Sequence, residues 1–496
     1  MCSFSIEITL AVIGVLLVAL DAFATSLSRK VIPALAIGFT AVLLLLLLAG
    51  HGNAACLPEF LRSFYAVDAL AYFYKVFAMV TTLGVLIIAY EADAVVAHYS
   101  SSQGVHTRIG EFYALPMIVC AGMMWMASAR DLVSVFVSLE LVTVSFYVLV
   151  AYTRRSGNAL EAGVKYLILG ALSTGILVYG IAWVYGVTGS MTFDGIALAV
   201  KNPNINQTAL LFGAALLLAG LGFKVGAAPF HIWIPDVYQG APTPVTAFLS
   251  VGSKAAGFAV LTRTVTALIG EGSVIAPQVR TALMVAAALT IAIGSLAAIG
   301  QTNLKRLLAY SSISHAGFLV LALACGGSQR LGISTGGIVA FYLATYLPMT
   351  LLGFLLLVVL RSQGVGEELK DLTGLSRRSP GMAFALTVAM ASLAGLPLTA
   401  GFFGKMLVFV AAVDQGYYGA VFVAVVGAAA GFYYYFRPIL AVYSSGESQS
   451  SKLVWSPLAR ATALALIAGI ITLGVFPKAM VQFVLDPVPA ASVAGK

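Results

Sequence analysis

Lys224, Lys254 and Lys405 lie deep inside apolar stretches long enough to cross a membrane, and Glu140 lies inside a fourth. A charged side chain at mid-bilayer costs about 2.5–3.5 kcal/mol on the insertion scale, so three buried lysines cost roughly 8–10 kcal/mol together. That sum is comparable to the net stability of a whole domain. Such charges must be paired, wetted by an internal cavity, or used. Lysine also gives up its proton readily when desolvated, which arginine does not. The chemistry these residues suggest is proton movement across a membrane.

Depth supports that reading. Lys254 stands about twelve residues into its span, or roughly 18 Å along a helix, in a hydrocarbon layer about 30 Å thick. A lysine can snorkel from a helix end, but from this depth either interface is out of easy reach. Lys405 stands about nine residues before Asp414, roughly 14 Å in. Lys224 is nearer an end, although FHIW continues the span beyond it. Glu140 is central in its helix and is the only central acid that the sequence offers. Alone it would take up a proton; beside a lysine it stays charged and holds that lysine protonated. Lys224 is its expected partner, and a purely structural pair is the alternative.

The remaining polar residues carry weaker signals. Lys165 follows Glu161 at i, i+4 near a helix start, where snorkelling and relay both fit. Lys75 and Arg437 read as helix-end or interfacial residues. His231 follows Pro229, and His315 sits in AYSSISHAGF. Either histidine can bridge protons near neutral pH or serve only in packing. Ser311, Ser312 and Ser314 beside His315 also suit close helix contact.

Positioning these residues falls to a chain that is 60% hydrophobic and 9% charged over 496 residues, with mean hydropathy +1.00. A soluble domain carries about a quarter charged residues. The expectation is an all-α polytopic membrane protein of about fourteen helices, with apolar runs near 6–23, 31–49, 70–90, 112–127, 131–153, 162–186 and 209–233. The others fall near 242–267, 282–300, 307–325, 333–360, 382–413, 418–443 and 455–476. Odd-numbered loops and adjoining helix ends hold twelve Lys and Arg residues, among them Arg29, Lys30, Arg154, Arg155, Arg377 and Arg378, against eight on the other side. The positive-inside rule then makes the odd side cytoplasmic and leaves both termini outside. No basic run exceeds two residues, so the net charge of +8 does not suggest nucleic-acid binding. The four cysteines and five histidines are scattered, without metal-ligand spacing, and no nucleotide-binding glycine motif is present.

Two spans are interrupted. The seventh reads GLGFKVGAAPFHIWIPD, with Gly226 and Pro229, and the twelfth reads SLAGLPLTAGFFGKMLVF, with Gly395, Pro397 and Gly401. Irregular backbone at membrane depth belongs where it lines a cavity or packs on protein. The two breaks are five helices apart, and each has a lysine nearby. If helices four to eight and nine to thirteen are copies, the odd count inverts the second, as in inverted-repeat transporters. The expected divisions are an N-terminal segment (1–111), two inverted five-helix repeats (112–267 and 268–443), and a last helix with its tail (444–496).

The stretch FKVGAAPFHIWIPDVYQGAPTPVTAFLSVGSKAAGF, residues 223–258, resembles the signature region of the subunit N family of bacterial proton-pumping NADH:quinone oxidoreductase, respiratory complex I. The similarity continues in EAGVKYLILGALSTG, QTNLKRLLAYSSISHAG and SLAGLPLTAGFFGKM and covers essentially the whole chain. The resemblance implies two inverted repeats with broken helices seven and twelve. It also implies a proton path through Glu140, Lys224, Lys254, Lys305 and Lys405; Lys165, His231 and His315 are further candidate members from the residues themselves. Lysine rather than glutamate at position 405 favours subunit N over the related subunit M. The resemblance places FMN, iron–sulfur clusters and quinone in partner subunits, and M-like and K-like subunits alongside in a bacterial inner membrane. It implies indirect coupling, in which redox chemistry elsewhere rearranges the charges here. Two other readings are a subunit of a cation/proton antiporter or membrane-bound hydrogenase, and a non-catalytic scaffold. Scarcity of buried acids to pair the lysines disfavours the scaffold.

Overall fold

The computed structural model describes residues 3–23, 28–50, 58–100, 108–328, 330–445 and 452–477. His51, His106, Cys2 and Cys56 lie outside the described residues. The chain is a multi-pass membrane protein. Among the described residues, thirteen helices are long and apolar enough to span a bilayer, and a broken pair, Pro380–Ala394 and Ala400–Asp414, makes a fourteenth span. Lateral position follows from how much of each helix other helices cover. In the most apolar windows of Thr243–Ile269, Leu304–Cys325 and Thr335–Ser362, 94% of positions are buried, against 28% for Tyr418–Tyr443 and 22% for Pro457–Val475. The eighth, tenth and eleventh helices are therefore the axis, and the last two form part of the rim.

Loop contacts establish that the chain alternates sides. Tyr65 bridges Ala129 and Asp131 bridges Thr192, joining the second, fourth and sixth loops; Asn303 bridges Glu368, joining the ninth and eleventh. Val274 N–H reaches Val200 O, eighth loop to sixth, and Leu453 N–H reaches Arg378 O, thirteenth to eleventh. Even loops meet even loops and odd meet odd, as an up-and-down path through a membrane requires. The helices between them are apolar on every face, so short polar caps mark where they begin. Asp131 accepts from Val133 and Ser134 N–H, and Asn206, Asn303, Ser334 and Ser456 each cap another helix.

The two interruptions use one local device. Gln207–Val225 ends at Gly226, whose φ is 78°, and Pro380–Ala394 ends at Gly395, whose φ is 89°. Only glycine adopts such backbone without strain. In each case the glycine and its successor donate back into the last turn, Ala227 N–H to Gly222 O and Leu396 N–H to Ala391 O. A short second half, Ile234–Gly240, then follows the seventh-helix break. The freed groups are met by protein: Ala228 N–H donates to Thr290 Oγ1 at 2.8 Å, and Trp233 Nε1 donates to Phe223 O at 3.0 Å. The seventh and twelfth spans, five apart in chain order, are thus broken in the same way.

Three expectations need correction. The third helix runs Ala69–Ser100, about ten residues past the expected end. Its polar extension survives because Ala92, Val96 and Ala97 are buried and Arg29 pairs with Asp93. The sixth begins at Gly157 rather than 162. The eighth is not a uniform rod: a π-helical turn, Leu249–Ser253, immediately precedes Lys254. Such turns insert a residue and re-aim the side chains that follow.

Candidate proton path

Lys224 is buried near the end of the first half of the seventh helix. Its Nζ donates to Thr143 Oγ1 of the fifth helix at 2.7 Å. Glu140 lies one turn before Thr143 on that helix, and its Oε1 accepts from Thr174 at 2.8 Å. The expected contact pair is therefore not what the structure shows. Glu140 is half-buried and bonded to the sixth helix, and it acts on Lys224 only as a nearby charge. At about 3.6 residues per turn, residues three apart on a helix lie only about 60° round from one another, and that offset leaves Thr143 buried while Glu140 is half-buried towards the sixth helix.

Lys254 begins a long polar stretch at the centre of the molecule. It is 2% exposed, and its Nζ donates to both the carbonyl and the hydroxyl of Ser312 on the tenth helix. Next to Ser312, Ser311 Oγ shares a hydrogen bond with Tyr435 of the thirteenth helix. Tyr435 Oη stands 3.1 Å from His315 Nε2, and His315 Nδ1 stands 2.7 Å from Tyr342 Oη on the eleventh. Tyr342 packs on Phe318, and Lys405 Nζ stands 5.7 Å from the centre of that ring. Side branches add Tyr346 with Ser250 at 3.0 Å and Ser295 with Ser314 at 2.9 Å. The serine–histidine face of the tenth helix is thus a hydrogen-bonded hub, not only a packing surface. The tyrosines are the part that sequence reasoning missed. In FYLATY and FYYYF they look like any aromatic residues of a membrane helix.

Lys405 lies on the second half of the twelfth helix and reaches back across the break. Its Nζ donates to Leu393 O at 3.0 Å and Ala394 O at 2.8 Å, the open carbonyls of the first half. A cation there meets the negative end of the helix dipole. Lys305 is held alike: its Nζ donates to Ala241 O at 2.6 Å, just past the short helix Ile234–Gly240. Lys305 also borders a cavity of about 220 Å³ on the odd-loop side, lined by Asn158, Gln239, Thr243, Asn303 and Glu367. Burial would raise the Glu367 carboxyl, but Lys305 and Arg361 hold it below the usual glutamate range.

The other expected members stand apart from this line. Lys165 is half-exposed and bonds both Glu161 and Asp236 at 2.7 Å, and Asp236 also receives Arg306 at 2.8 Å. This is an ionic cluster at the odd-loop end. His231 is half-buried at the seventh-helix break, and its Nδ1 has no hydrogen-bond partner. Arg437 caps the ninth helix by donating to Ile299 and Gln301 carbonyls. Lys75, expected at an interface, is instead 1% exposed and paired with Glu7 at 3.2 Å. Glu140 is therefore not the only acid withdrawn from solvent. The pair escaped notice because residues 7 and 75 meet only through tertiary packing.

A fourteen-helix bundle with two broken helices and a central lysine–histidine–hydroxyl line defines an antiporter-like membrane subunit. The family described as the NADH:quinone oxidoreductase/Mrp antiporter transmembrane region matches residues 129–431. NADH-quinone oxidoreductase subunit N of Trichlorobacter lovleyi is 39% identical over 490 residues, which covers 96% of this chain and 94% of that protein. The chain belongs to the subunit N family of NADH-quinone oxidoreductases. Among solved structures, a chain of respiratory complex I from Thermus thermophilus with bound aureothin is similar, with TM-score 0.79 and 34% identity. That match covers 97% of this chain and 99% of the other. A chain of the Mrp complex from Dietzia shares the fold at TM-score 0.81 and 21% identity, with 98% of each chain covered.

Proposed function

We infer that this chain is a proton-translocating membrane-arm subunit of an NADH:quinone oxidoreductase, driven by redox chemistry in other subunits. The observation that carries the reading is a line of two hydrogen-bonded stretches, Lys254 with Ser312 and then, from the adjacent Ser311, Tyr435, His315 and Tyr342, which reaches towards the surroundings of Lys405. Each member either holds a proton or can both accept and donate one. Lys224, with Glu140 as a nearby charge, loads the first half; internal water carries the proton to Lys254. A change in charge at Glu140 alters the affinity of Lys224 for its proton. The proton then moves laterally through the tenth-helix hub to Lys405, which exchanges it with the exit side. Lys305 and its cavity supply contact with the odd-loop side, and Lys165 and His231 are outlying members of the same path.

Family membership supports a reading of the rest of the complex. FMN, iron–sulfur clusters and quinone belong to partner subunits, and M-like and K-like subunits flank this one in a bacterial inner membrane. The excess of Lys and Arg on odd loops supports both termini on the periplasmic side. The units 112–267 and 268–443 act as two half-channels, with the segment 1–111 and the final helix bracing them.

Lys254→Met tests the reading. The variant complex is expected to assemble and to oxidise NADH with an artificial acceptor, while quinone-linked proton uptake into proteoliposomes largely fails. Wild-type protons per NADH in that variant would exclude the relay.

A further inference from the structure

Glu7 and Lys75 lie in the N-terminal three-helix segment, outside the lysine line. Glu7 is 3% exposed and Lys75 1%. Lys75 Nζ approaches Glu7 Oε1 at 3.2 Å, and Tyr65 Oη donates to the same oxygen at 2.7 Å while accepting from Lys75 at 2.5 Å. The second carboxylate oxygen, Oε2, is buried without a hydrogen-bond partner. The pair is near the even-loop end of the first and third helices, with Cys120 of the fourth helix also within electrostatic range. Two ions withdrawn from water often cost more than their attraction returns, and an apolar pair would hold the first and third helices together at least as well. A carboxylate with one oxygen left bare is a poor anchor and a good proton acceptor.

The site is also connected to the main path. Asp68 lies beside Lys75 and holds Arg263 through two hydrogen bonds of 2.9 Å. Arg263 in turn holds the Ala127 carbonyl of the fourth helix at 2.9 Å. Arg263 is on the eighth helix, nine residues beyond Lys254, or about 14 Å along its axis. A change in charge at the pair is felt through Asp68 and Arg263 at the end of the helix that carries Lys254.

We propose that Glu7, Tyr65 and Lys75 form a second proton-holding site, near the even-loop surface, that loads and releases one proton during turnover. In the resting ion pair Glu7 is a carboxylate and Lys75 an ammonium, with no net charge between them. An incoming proton forms an O–H bond at Oε2, which leaves a neutral carboxylic acid beside the ammonium and one net positive charge. Release reverses that single bond. The proposal rests on the proton-translocating reading, and Lys254→Met separates the two: if that variant pumps normally, the reading itself has failed.

The experiment uses the whole complex in liposomes, with assembly on native gels, protons taken up per NADH, and the redox-induced infrared difference band of a protonated carboxyl. Glu7→Gln with Lys75→Met removes both charges together, so no lone buried ion remains. That double variant is expected to assemble, to lose a carboxyl band and to pump fewer protons per NADH. A double variant with wild-type pumping and an unchanged band overturns the proposal, and so does recovery of full pumping where each single change had only blocked assembly. If the double variant does not assemble, Tyr65→Phe decides, because it keeps the ion pair and removes only the bridging hydroxyl. A shifted carboxyl band is then expected, and an unshifted one rejects the site.

Discussion

Lys405 and Lys254 answer the same burial problem with different partners. Lys254 rests on a serine, a group that can pass a proton on, whereas Lys405 rests on two backbone carbonyls, which can only accept. Lys405 is thus a charge anchored at a helix end and, on the proposed path, the terminus of a relay, and these roles separate by substitution. Arginine keeps the charge but holds its proton at any accessible pH. Lys405→Met and Lys405→Arg are both expected to lose most quinone-linked proton uptake while the complex assembles normally. Full coupled activity in an assembled arginine variant would make Lys405 an electrostatic anchor only. The lysines were legible in the sequence because a charge in an apolar run is conspicuous whatever surrounds it. Their partners were not: Thr143, Ser250 and the tyrosines are ordinary residues of such helices until folding brings them within 3 Å of another polar atom.

At the scale of elements, the breaks in the seventh and twelfth helices matter because they open carbonyls at membrane depth. Proline and glycine announced both interruptions in the sequence, since each disfavours regular helix in its own way. What the sequence did not announce is how the open ends are filled, by Trp233 and Thr290 at one break and by Lys405 at the other. Gly395 ties conformation to function. Its left-handed φ costs a residue with a β-carbon about 1–2 kcal/mol, and that carbon would stand 3.2 Å from Lys405 Cδ and 3.3 Å from Nζ. Gly395→Ala is therefore expected to lower thermal stability by about 1–2 kcal/mol and also to displace the ammonium from Leu393 and Ala394. Proton uptake should fall more than stability alone explains. At Gly226 the same change would meet Ile234 instead, so Gly226→Ala controls for strain. Equal effects on uptake in the two variants, at equal assembly, would show that contact with Lys405 is irrelevant.

For the molecule as a whole, the axis of heavily buried helices explains why a charged path survives in a membrane protein. The eighth, tenth and eleventh helices are wrapped by others, so lysine and histidine there meet hydroxyls and carbonyls, not lipid. Orientation is the property most open to direct test. Lys201 and Lys370 are both exposed and lie on opposite sides, in the sixth and eleventh loops. With Cys2 and Cys56 replaced by serine, a membrane-impermeant maleimide added to spheroplasts should label Lys201→Cys and spare Lys370→Cys. Inverted vesicles should give the opposite result, and labelling of Lys370→Cys from outside would reverse the assignment.

Runs of residues along the chain were enough to show that it spans a membrane many times, that its seventh and twelfth helices break, and that Lys224, Lys254 and Lys405 lie too deep to be accidental. Those properties depend on runs of neighbouring residues, because the hydrophobic length of a bilayer and the φ preferences of glycine and proline act locally. Tertiary structure alone decided who faces whom. It turned Glu140 outward and put Thr143 against Lys224, set residues of the tenth, eleventh and thirteenth helices between Lys254 and Lys405, and buried Glu7 with Lys75. Helices that are apolar on every face carry no periodic signal of their inward side, so only packing selects the rotation that gives each polar side chain its partner.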